Sequence, residues 1–103
     1  MNCSCMEIKN ALTSMFNDVC TKIKYNAGEE DPKIVNRIQL DFLISVGKKM
    51  DGWNFCGCLN APNIKKMKVM IDYNMPTYTA ETIQFKDIRK QFAMVKEYIR
   101  GIE

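Results

Sequence analysis

Ile8, Leu12, Met15, Val19 and Ile23 recur at steps of four, three, four and four, with Ala11 and Phe16 beside them, so the first segment predicts a helix with one apolar stripe. Ser4 and Glu7, three residues apart, have the spacing of a capping box that opens it, and Gly28 is its expected stop. Asp31 then reads as the cap of a second helix, with Pro32 in the first turn, where a missing N–H costs nothing. This helix extends to Met50, with Ile34, Val35, Ile38, Phe42, Leu43 and Val46 on one broad face and Leu40 and Ile44 on another. A helix apolar nearly all round is central to a core or feeds an interface. The short link predicts that the two helices pack antiparallel.

Asp51-Gly52 breaks the pattern, and the next stretch is turn-rich and β-branched. Asn60-Ala-Pro-Asn63 and Asn74-Met-Pro-Thr77 each place asparagine ahead of a proline turn and divide the region into three pieces. Residues 53–59, 66–73 and 77–85 are the expected strands; in the second, Met67, Val69, Ile71 and Tyr73 alternate with Lys66, Lys68, Met70 and Asp72. Beyond them Phe85, Ile88, Phe92, Val95 and Ile99 restore the helical step, with Asp87 or Thr79 as cap and Gly101 as stop.

The expected fold is therefore α+β, in one domain spanning residues 1–103: two N-terminal antiparallel helices, a three-stranded antiparallel meander and a C-terminal amphipathic helix. The alternative is a small all-α domain, since Ile64, Met67 and Ile71 also fit a helical stripe.

With 47% hydrophobic and 26% charged residues, the chain has the balance of a globular domain rather than of a disordered tail. The net charge of +3 is unevenly spread: residues 1–31 carry three lysines against five acids, and the rest twelve Lys and Arg against seven acids. That excess permits contact with nucleic acid or an acidic protein but does not form a dense phosphate-binding stripe. No apolar run is long enough for a bilayer and no basic-then-apolar leader pattern is present, so a cytoplasmic location with no membrane partner is expected.

Catalytic chemistry finds little support. Histidine is absent, which excludes histidine triads and histidine metal sites within the chain, and no glycine loop suited to phosphate is present. A cysteine nucleophile would lack an activating imidazole. The five cysteines include Cys3-Ser-Cys5 and Cys56-Gly-Cys58, with Cys20 between them. One intervening residue is a poor bite for zinc, and the usual redox spacing has two, even though Lys48, Lys49, Lys65 and Lys66 could favour a thiolate. Reduced thiols acting as small apolar residues are the expectation, with neither metal nor cofactor.

The expected function is thus a non-catalytic protein that docks onto another macromolecule, as a monomer or weak homodimer. Its size and lack of catalytic groups would suit a small phage or mobile-element inhibitor of a host nucleic-acid machine, of the anti-CRISPR type. Candidate anchors are Trp53, Tyr73, Met75 and Tyr78, with Lys65, Lys66, Lys68, Lys86, Arg89 and Lys90 at the rim. The alternative is a DNA-binding transcriptional regulator with a helix-turn-helix in residues 61–100. There Asn74-Met-Pro76 is the turn, Tyr78, Thr79, Glu81 and Gln84 face bases, and the same cations hold phosphates. Lys86, Arg89, Lys90, Lys96 and Arg100 on the outer side of the last helix form a candidate docking stripe.

Overall fold

The computed structural model of the chain describes residues 5–26, 32–53 and 57–102, and every regular element among them is helical. Helix α1 spans Cys5–Asn26, α2 Pro32–Asp51, α3 Pro62–Thr79 and α4 Phe85–Arg100, with a 3-10 turn at Gly57–Asn60 leading into α3. The residues expected to cap or stop the first two helices, Ser4, Gly28 and Asp31, lie outside the described residues.

The expected meander is replaced by helix. Residues 66–73 lie inside α3, residues 77–79 are its last turn, and residues 80–84 form the connection to α4. Of the first expected strand, residues 54–56 lie outside the described residues, and residues 57–60 form the 3-10 turn. The reason lies in which side chains are buried together. Ile64, Met67, Ile71 and Tyr78 are all sealed from solvent, which is a helical stripe, while Val69 and Tyr73 face out. A strand would have placed Met67, Val69, Ile71 and Tyr73 on a single face. The small all-α domain is the fold observed.

Helix α2 is the central element and packs against α1, α3 and α4, burying Leu40, Phe42, Leu43, Val46 and Met50. Three rings tie α1, α2 and α4 together: Phe16 stacks on Phe92 at 5.2 Å, and Phe42 meets Phe16 and Phe92 edge-on at 5.8 and 5.4 Å. On the α3 side, a Cβ added at Gly47 would overlap the Met75 Cε and come within 2.9 Å of the Ile71 Cγ2, so glycine allows the close approach of α2 and α3.

Helix α3 continues through Pro76, where a proline turn was expected. The proline sits in the penultimate turn, and beyond it the side chain of Tyr78 is buried in the core and holds the helix in place. Thr77 and Thr79 hydroxyls donate back to the carbonyls of Asn74 (2.7 Å) and Met75 (3.1 Å). The helix ends in a Schellman motif: the Glu81 N–H donates to Tyr78 O and the Thr82 N–H to Thr77 O, at 3.2 and 3.0 Å. Glu81 takes the left-handed position (φ 58°) usually given to glycine. Gln84, rather than Asp87 or Thr79, occupies the N-cap position of α4 without a side-chain capping hydrogen bond; Asp87 lies inside the first turn, where a carboxylate complements the helix dipole. Gly101 follows α4, as the sequence predicted.

Candidate partner-binding surface

With Ile64, Met67, Ile71 and Tyr78 fixed inward, the opposite side of α3 is set by helix geometry, and it carries Lys65, Lys66, Val69, Asp72 and Tyr73, all exposed. Tyr73 is 84% and Val69 60% exposed. One turn apart, they are surface neighbours and form a contiguous apolar patch. Lys65 and Lys66 lie a turn before Val69 and make no ion pair among the described residues, so their charge is available at the rim. Lys68 is occupied: its Nζ reaches Asp72 at 2.9 Å and Asp51 of α2 at 3.5 Å. The hydrogen bond to Asp72 raises its pKa above the ordinary lysine value against the opposing cost of burial, and the charges of Asp72 and Asp51 add to the rise.

The candidate anchors therefore separate. Tyr73 presents its ring to solvent. Tyr78 is in the core, its hydroxyl donating to Gln91 Oε1, and burial pushes its pKa up to about 12. It can neither anchor a partner nor face a base. Met75 is half-buried in the seam beside Gly47. Trp53 is half-buried against the core just past α2, with Lys49 Nζ 5.8 Å from its ring centre. Val69 was not among the candidates. An alternating reading put it on the inner face with Met67 and Ile71, whereas the helical stripe through Ile64, Met67 and Ile71 places it outside.

The second candidate surface is α4, where Lys86, Arg89, Lys90, Lys96 and Arg100 are all exposed. Arg89 Nη1 lies 3.5 Å from Oδ1 of Asn36, a buried polar side chain of α2, and Arg100 Nη1 is 3.8 Å from Glu97 Oε1. The expected turn Asn74-Met-Pro76 is inside α3, and the connection between α3 and α4 is instead residues 80–84. Thr79 and Gln84 are exposed. Glu81 pairs with Arg37, and this hydrogen bond, with the charge of Asp41, raises the arginine's pKa still further.

The cysteines depart from the expectation of reduced thiols. Cys5, at the start of α1, is bonded to Cys58 in the 3-10 turn, with an S–S distance of 2.00 Å. Cys20 is free and exposed, and Cys3 and Cys56 lie outside the described residues. Among the described residues no group of three or more acidic or cysteine side chains could hold a metal ion, and no helix is long and apolar enough to cross a membrane. Comparison with protein-family models, with curated proteins and with solved structures returns no match.

Proposed function

We propose that the chain is a non-catalytic binding protein that docks onto a protein partner through the outer face of α3, with Tyr73 and Val69 as anchors and Lys65 and Lys66 at the rim. The observation that carries this reading is the exposure of two large apolar side chains one turn apart on a helix whose opposite face is locked into the core. Exposed apolar patches on rigid elements are where partners gain most from desolvation, and tyrosine is among the commonest anchors. The two lysines fit an acidic surface around the partner's apolar pocket and would speed encounter more than strengthen the complex. An inhibitor of a nucleic-acid machine would be one form of such a docking protein. As for location, the Cys5–Cys58 disulfide favours a compartment in which thiols oxidise, which weighs against the cytoplasm expected from the sequence and against an inhibitor of a cytoplasmic nucleic-acid machine as the form that docking takes.

The second reading, binding to DNA, draws on the exposed cations of α4. Affinity capture with and without nuclease, using wild type and Tyr73→Ala, separates the two. A partner retained after nuclease and lost with Tyr73→Ala supports docking through α3. Capture abolished by nuclease and unaffected by Tyr73→Ala supports nucleic acid instead.

A further inference from the structure

We infer that the groove between α1 and α4 is a binding site for a small amphipathic carboxylate, a molecule with one anionic head and an apolar body. The groove has a volume of about 410 Å³, within the range of ligand sites, and lies between Lys9, Thr13 and Phe16 of α1 and Lys96, Ile99 and Arg100 of α4. Its floor is apolar and fixed: Ile99 is buried, and Phe16 is held by its ring contacts with Phe42 and Phe92. Its walls carry three cations, and no acidic side chain lines it. Arg100 is shared with Glu97 at 3.8 Å, but Lys9 and Lys96 make no ion pair among the described residues. Two helices thus bring unneutralised ammonium groups to the edges of an apolar trough.

Charge complementarity selects the occupant. A neutral apolar ligand would leave the cations unused, and a hydrophilic anion would leave Phe16 and Ile99 wet. A carboxylate between Lys9 and Lys96, with the Thr13 hydroxyl as a further donor, and an alkyl or aryl body over Phe16 and Ile99 would satisfy both. The site uses neither Val69 nor Tyr73 and stands apart from the docking proposal.

The test is titration of the isotope-labelled full chain, followed through its amide resonances, with decanoate, indole-3-acetate, acetate and decylammonium. Saturable shifts at residues 9–17 and 96–100 are expected with decanoate, indole-3-acetate or both, the stronger of the two showing whether the body is alkyl or aryl. Acetate should bind at least about tenfold more weakly, because the apolar body supplies most of the affinity. Decylammonium should not saturate the groove. Lys9→Gln with Lys96→Gln should weaken the better carboxylate about tenfold or more while leaving the melting temperature unchanged, since neither lysine makes an ion pair among the described residues. Failure of both carboxylates to saturate these resonances, equal binding of decylammonium, or undiminished affinity of the double variant would each overturn the inference.

Discussion

Tyr78 illustrates how one side chain changes meaning once its surroundings are known. In the sequence it stands between two threonines, as a strand residue or an exposed anchor would; in the fold it is fully buried, with its hydroxyl satisfied by Gln91. Burial raises its pKa from 10.0 to about 12. In the unfolded chain the phenol ionises from pH 10 upward while the folded phenol stays neutral, so its contribution is intact below pH 10 and is lost as pH climbs through the folded value. The loss amounts to about 2 kcal/mol. Denaturant unfolding near neutrality and at about pH 11.5 should show a larger fall for wild type than for Tyr78→Phe; equal falls would count against this assignment. Residue type alone marked Tyr78 and Tyr73 as equivalent aromatics. Only the position of the helical stripe separates the buried ring from the exposed one.

At the scale of elements, α3 shows what patterning could and could not decide. Its inner stripe of Ile64, Met67 and Ile71 was visible, but the β-branched residues and the two proline phrases fitted a meander equally well, and packing against α2 and α4 resolves the ambiguity toward helix. The stronger 3.6-residue periods of α1 and α4 were legible because no proline interrupts them. Two substitutions probe the ends and seams. Glu81→Gly removes left-handed strain of about 1–2 kcal/mol, offset in part by the backbone entropy that glycine adds to the unfolded chain and by loss of a solvated ion pair with Arg37, so a small net gain is expected in thermal unfolding. Gly47→Ala goes the other way. Its methyl would press on Ile71 and Met75, and the overpacking cost of about 1–3 kcal/mol exceeds the gain of about 1 kcal/mol in helix propensity. A Gly47→Ala variant more stable than wild type would show that α2 and α3 can separate without cost.

At the scale of the molecule, the Cys5–Cys58 bond closes a loop across a sequence separation of 53, joining the start of α1 to the turn before α3. In the chain-entropy view such a closure stabilises by about 4 kcal/mol, so reductant, or Cys5→Ser with Cys58→Ser, should lower the unfolding midpoint by a corresponding amount. An unchanged midpoint under reductant would mean that the helix packing alone sets stability. This cross-link could not be read in advance, because two Cys-x-Cys pairs allow several pairings and the distances between them exist only in the folded chain. The same holds for the docking face. Its residues are ordinary in sequence and become a surface only because α2 and α4 take up the other side of α3. Once a partner is in hand, the decisive measurement is its affinity for Val69→Ser with Tyr73→Ala beside that for Lys86→Glu with Arg89→Glu and Lys90→Glu. Docking through α3 predicts a loss of about 2 kcal/mol or more, roughly thirtyfold, for the first variant and only a small, salt-dependent change for the second. The reverse order would place the interface on α4 and contradict the account.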